Sequence, residues 1–137
     1  MKRREFIALA AATALVPLGA RAAEFLKYTE GLVAKHLAAG DTVFVDFYTD
    51  WCSTCRAQRR SINALREENP EYDKNIVFID VDWDIHSNSE VSRKYDIPRR
   101  STLLVLKGDE ELGRIVANPS AAAIKELMDK GLVAAMA

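Results

Sequence analysis

Cys52 and Cys55 sit three residues apart in Trp51-Cys52-Ser53-Thr54-Cys55, and the chain has no other cysteine. That separation is too small to tie distant parts of a fold together, so the pair is read as chemistry and not as a staple. The segment follows an apolar strand-like run and opens a helix-like one. A thiol at a helix start faces unpaired backbone N–H groups and the positive end of the helix dipole, and both favour the thiolate. A second thiol one turn further in can attack the first. Together they suit thiol–disulfide exchange, with Cys52 attacking a disulfide and Cys55 resolving the mixed disulfide. The competing reading is half of a structural zinc site. Such a site needs four ligands, there is no second cysteine pair, and His36 and His86 are the only histidines.

The surrounding sequence alternates strand and helix. Phe25–Tyr28 reads as a short first strand, and Thr29 as the cap of a helix with Leu32, Val33 and Leu37 on one face, ended by Gly40. Thr42–Tyr48 is β-branched, aromatic and almost wholly apolar, the pattern of a strand buried on both faces. A helix is expected from Cys52 to about Glu68, with Pro70 marking its end. Ile76–Asp82 is a second buried strand, and Ser89 caps a short helix over Glu90–Lys94. Thr102–Leu106 is a third strand, and Gly108-Asp109 turns it into a hairpin with Leu112–Ala117. A last helix begins at Asn118 or Ser120, buries Ile124, Leu127 and Met128, and stops at Gly131. Helices between buried strands imply an α/β fold, a central mixed sheet covered by helices on both faces.

The stretch from Val45 to Arg56 resembles the active-site segment of thioredoxins, and Tyr95-Asp96-Ile97 with Thr102–Glu110 resembles their later strand and hairpin. The resemblance runs from about Glu24 to Gly131. It implies a thioredoxin-like fold and thiol–disulfide oxidoreductase activity. By position it implies that Cys52 attacks, that Cys55 resolves, and that the two form the redox disulfide Cys52–Cys55. Trp51 matches the aromatic that shields the site and contacts substrate. Asp46 matches a buried acid beneath the disulfide, expected to accept the Cys55 proton. Arg100, Ser101 and Thr102 fall in the substrate-binding loop.

Three features depart from that pattern. Ser101 precedes Thr102 where the family has a cis-proline, and the nearest proline is Pro98; a cis bond before Ser would cost about 3 kcal/mol, so a trans bond or a rebuilt loop is expected. Phe78 is placed by register where the family often has a lysine beside the buried acid. The dipeptide Ser53-Thr54 lacks a histidine that would stabilise the thiolate, which argues against a strong oxidant. Arg56, Arg59, Arg60, Arg99 and Arg100 would make the cleft electropositive if they faced it, with solvated helix positions as the alternative for Arg59 and Arg60.

Residues 1–22 carry Lys2, Arg3 and Arg4, a 15-residue apolar stretch from Phe6 to Ala20, and a small-residue site at Ala20-Arg21-Ala22. That stretch is short of the roughly 18–20 residues that span a bilayer, so it reads as a cleaved signal peptide of twin-arginine type. The domain is then residues 23–137, exported to the periplasm, with no stable membrane insertion. Over the whole chain 19 Lys and Arg balance 20 Asp and Glu, which argues against nucleic acid as a partner. Expected partners are protein disulfides or thiols, and a membrane thiol electron donor if the protein works as a reductase. No cofactor and no metal ligand is expected, and the domain is expected to be a monomer. The alternatives are an oxidase or isomerase, a metal- or iron–sulfur-binding module on the same thiols, and a redox-inert binding domain.

Overall fold

The computed structural model describes residues 24–137, so the expected leader lies outside the described residues. The run Thr42–Tyr48 forms β2, as its β-branched and aromatic composition favours. It lies at the centre of a five-stranded sheet ordered β1-β3-β2-β4-β5, in which β1 is Leu26–Lys27, β3 is Ile76–Asp82, β4 is Thr102–Lys107 and β5 is Glu110–Val116. Strand β3 runs parallel to β2, and β4 runs antiparallel to it.

The period of two along β2 sorts its side chains into two layers. Phe44 joins Phe78, Leu103 and Val105 under helices α2 (Ser53–Glu68) and α6 (Ala121–Met136), which contribute Ile62, Ile124 and Met128. Val43, Val45 and Phe47 join Ile79, Val81 and Leu104 on the opposite face. That face is closed by Val33 of α1 (Leu32–Ala38) and Val91 of α5 (Glu90–Lys94). The expected mixed sheet with helices on both faces is therefore present, and β2 and β3 have the predicted bounds.

Several details differ from the sequence reading. The first strand covers two residues, not four. Helix α1 starts after Gly31, whose φ of +84° only glycine adopts freely, and not from Thr29. Pro70 both closes the region after α2 and opens a short helix α3 (Glu71–Asn75), as its fixed φ allows. A further turn, α4 (Trp83–His86), is started by the Asp82 side chain accepting the Asp84 N–H at 3.0 Å. The hairpin is tight enough that β5 begins at Glu110. Gly131 does not end α6. It is buried mid-helix, where an added Cβ would lie 3.1 Å from Val105 Cγ1 and 3.3 Å from Ile76 Cδ1. The residue serves close packing of α6 on the sheet.

This packing sets a test. Gly131→Leu should lower unfolding stability by about 1–3 kcal/mol through overpacking. Gly131→Ala should stay near neutral, because a helix-propensity gain of roughly 1 kcal/mol offsets the tight contact. Urea denaturation of both variants reads the difference.

Candidate active site

Strand β2 delivers the chain to the edge of the sheet at Tyr48, and α2 starts five residues beyond it, at Ser53. Cys52 occupies the position just before the helix, in extended conformation with φ −90° and ψ 117°. Its sulfur takes the place of the usual capping oxygen and accepts the Cys55 N–H at 3.2 Å. Cys55, Gln58 and Ile62 then follow on the buried face of α2, at spacings that keep one face to the sheet. Both thiols are free and nearly enclosed, with Cys52 5% and Cys55 3% exposed.

Ser101 meets both of them. Its Oγ lies 3.2 Å from Cys52 Sγ and 3.1 Å from Cys55 Sγ. The residue is fully buried and held at φ +66°, a left-handed conformation uncommon for a side chain other than glycine. Three hydrogen bonds fix it there. Its N–H donates to the Phe47 carbonyl at 2.7 Å, and its carbonyl accepts the Ala117 N–H at 2.8 Å and Gln58 Nε2 at 3.1 Å. No cis peptide bond occurs among the described residues. Ser101, and not Pro98, therefore takes the place against the thiols, with the trans bond expected on energetic grounds.

The two sulfurs have different acidities. Burial alone would raise the Cys52 thiol. Hydrogen bonding from Cys55, Ser101 and the Cys55 backbone N–H, with Arg100 adding to them, outweighs it and brings the thiol down to about 7. Burial and the neighbouring Cys52 push the Cys55 thiol up. The arrangement supplies one nucleophilic thiolate and one protonated thiol within reach of it, the division of labour that disulfide exchange needs.

Trp51 stands at the rim, 58% exposed. Its indole Nε1 donates to Asp84 of α4 at 2.9 Å, and the Arg100 guanidinium lies 4.2 Å above the ring. Thr102 is buried, and its hydroxyl donates to the Arg99 carbonyl at 2.7 Å, closing the loop from within. Arg99 donates its Nε to the Arg100 carbonyl.

Beneath the thiols the electrostatics differ from the sequence reading. Asp46 is fully buried on the α2 side of β2. The residue facing it in β3 is Asp80, not Phe78, which pairs with Phe44 two positions earlier. The counter-charge comes from α2. Arg59 donates Nε and a terminal nitrogen to Asp46 Oδ2 at 3.0 and 2.8 Å, and lies 3.7 Å from Asp80, which Lys27 of β1 also approaches at 3.6 Å. Arg59 thus turns under the helix to the acids and not into the cleft. Arg60 is exposed, and Arg56 donates to the Asp50 carbonyl. The lone carboxylate in the apolar run Ile76–Val81 was the signal for Asp80. Phe78 and Asp80 share one strand face, so counting along the strand gave the right face and the wrong register.

A family model described as thioredoxin matches residues 25–130. The chain belongs to the thioredoxin family. It is 29% identical over 104 residues to the thioredoxin of Echinococcus granulosus, covering 75% of this chain and 91% of that one. It is 36% identical over 90 residues to the thioredoxin of Bacillus subtilis, covering 66% and 82%. Among solved structures, Schistosoma mansoni thioredoxin pre-protein in its reduced form superposes with a TM-score of 0.62 at 26% identity, covering 79% of this chain and 98% of that one. Trxlp of Edwardsiella tarda shares the fold, with a TM-score of 0.67 at 23% identity over 77% and 98% of the two chains. As a member of this family, the protein is a thiol–disulfide oxidoreductase with Cys52 and Cys55 as its CxxC pair.

Burial pushes the Asp46 carboxyl above the usual carboxylate range, and Arg59 works against that rise. Only within the pH window between the unfolded and the raised native pKa does the native state hold a proton that the unfolded chain has released. Between the unfolded and native pKa values, stability falls as pH rises. Asp46→Asn should flatten this dependence. Arg59→Met should cost up to about 3 kcal/mol at neutral pH, by leaving buried carboxylates without their cation. That loss should shrink as pH is lowered and Asp46 takes up its proton. Urea denaturation across a pH series checks both variants.

Proposed function

We propose that the protein is an exported thioredoxin that reduces disulfides of substrate proteins in the periplasm. The observation that carries the reducing direction is the moderate acidity of Cys52. A thiol near 7 matches the value of about 7 for thioredoxin-type reductants, far from the value of about 3.5 for a strong disulfide oxidant. The stabilisation comes from neutral hydrogen-bond donors and one arginine, and the dipeptide between the cysteines holds no histidine. A reduced state stabilised only this far does not pull electrons strongly from substrates.

In this reading the Cys52 thiolate attacks a substrate sulfur while Trp51 and Arg100 form the rim on which the substrate chain rests. Cys55 then resolves the mixed disulfide. Asp46 lies below as the acid of the site, held by Arg59. Export rests on residues 1–22, with a basic start, a short apolar stretch and a small-residue cleavage site, leaving residues 23–137 as a monomeric domain. Outside the cytoplasm no soluble thiol pool regenerates a reductase, so a membrane thiol carrier is its electron donor. Among the described residues no helix is long and apolar enough to cross a membrane.

The reduction potential of the Cys52/Cys55 pair, equilibrated against glutathione or dithiothreitol buffers, decides the direction. A value near roughly −270 mV is expected, and one near roughly −120 mV would make the protein an oxidant. Cys52→Ser should abolish disulfide reduction in an insulin-type turbidity assay. Cell fractionation of the full chain should recover the shortened domain in the periplasm, and recovery in the cytoplasm at full length would overturn the export reading.

A further inference from the structure

We propose that the Ser101 hydroxyl is a catalytic proton relay between the two thiols. The inference rests on Cys52 as the attacking thiol and Cys55 as the resolving one, and holds for either direction of electron flow.

A hydroxyl has one proton to donate and two lone pairs with which to accept. Ser101 Oγ stands within hydrogen-bonding distance of both sulfurs at once, 3.2 Å from Cys52 and 3.1 Å from Cys55. It can therefore donate to only one of them. Cys52 Sγ already accepts the Cys55 N–H at the start of α2, which is where negative charge is best held. The hydroxyl thus donates to the Cys52 thiolate and accepts from the Cys55 thiol. The geometry permits an ordered chain, Cys55 S–H to Ser101 O–H to Cys52 S⁻, which competes with the direct bond from the Cys55 thiol to Cys52. The position is built for this contact. A non-glycine residue is held in left-handed conformation, completely buried, by bonds to β2, to Ala117 after β5, and to Gln58 of α2. Asp46, the other acid of the site, is taken up with Arg59, and among the described residues neither sulfur hydrogen-bonds to it.

The reaction balances along this chain. Cys52 thiolate attacks one sulfur of a substrate disulfide, that S–S bond breaks, and the other substrate sulfur leaves as a thiolate that water protonates. Cys55 then attacks Cys52 Sγ and gives its proton to Ser101 Oγ. The Cys52–Cys55 bond forms as the bond from Cys52 to the substrate breaks, and the hydroxyl passes its own proton to the departing substrate sulfur. That sulfur is bonded to Cys52 Sγ at about 2 Å until it leaves, next to the atom the hydroxyl faces. The enzyme dithiol has lost two electrons, the substrate disulfide has gained them, and Ser101 is restored. In the oxidising direction the steps run in reverse.

The test uses the full chain with Ser101→Gly and Ser101→Ala. Glycine adopts the required φ without strain, so the loop is kept while the hydroxyl is lost. Two quantities are read. The first is the pH midpoint for alkylation of Cys52 by iodoacetamide, located by mass spectrometry. The groups that face its sulfur are Cys55 from α2 and Arg100 from the loop before β4, with Asp84 of α4 held on Trp51, and all are retained. The second is the lifetime of the mixed disulfide formed with oxidised glutathione, followed by acid quenching. Both variants should raise the midpoint by about one pH unit, a tenfold loss of thiolate below it. Both should lengthen the mixed-disulfide lifetime by about 100-fold, the scale of a lost proton-transfer group. Asp46→Asn should lengthen it less. An unchanged lifetime in Ser101→Gly overturns the relay, whether or not the midpoint moves. If the wild-type chain forms no mixed disulfide with glutathione, the thiol-exchange reading fails first, and the two failures are told apart.

Discussion

The hydrogen bond from the Ser101 N–H to the Phe47 carbonyl, 2.7 Å long, is the join on which the site depends. Phe47 lies near the end of the central strand, and Ser101 is the residue before β4. The bond continues the β2–β4 ladder past its last regular pair, so the loop reaches the sheet edge where the thiols are. The Ser101 carbonyl is then taken by Ala117 and by Gln58 of α2. Strands β2 and β4, the end of β5 and the helix bearing Cys55 therefore converge on one residue, Ser101. A left-handed backbone at a serine is tolerable because so many partners over-determine it. The thiols have a fixed environment for the same reason.

A second constraint lies one layer down. Two buried carboxylates face each other across β2 and β3, and burying one charge is already costly. The fold answers with Arg59, whose guanidinium also lies over the ring of Phe25 at 3.9 Å. The same head thus packs on an aromatic ring while it serves the acids. The same helix face carries Cys55 and Gln58, so the rotation of α2 that positions the thiols also positions the cation. Electrostatic compensation and redox geometry are set by one helix phase.

Most of the fold was legible in the residues. β2 and β3 announced themselves by unbroken β-branched and aromatic runs, and α2 by its start at the cysteines. What could not be read was relative placement. Gly131 looks like a helix stop, because a glycine near a chain end is one locally; only the approach of Val105 and Ile76 reveals a packing role. The position facing Asp46 is read two residues early, at Phe78 and not at Asp80, since strand periodicity fixes a face and not a register. Arg59 lay open between cleft and solvent because a long side chain can turn under its helix. Ser101 was legible as a departure from the family pattern. The contact of one hydroxyl with two sulfurs needs three-dimensional geometry.

The rim has a bearing on molecular recognition that goes beyond its shape. Trp51 offers a large aromatic face to solvent, yet it is clamped between the Asp84 carboxylate and the Arg100 guanidinium. A freely rotating ring would lose rotamer entropy when a partner docks on it. Here two contacts already restrict the ring in the unbound protein, which lowers the ordering cost of any contact made on it. Because the clamp has a cation on one side and an anion on the other, it presents neither sign of charge alone. Under the proposed function, a substrate chain resting on this platform meets both signs of charge at once.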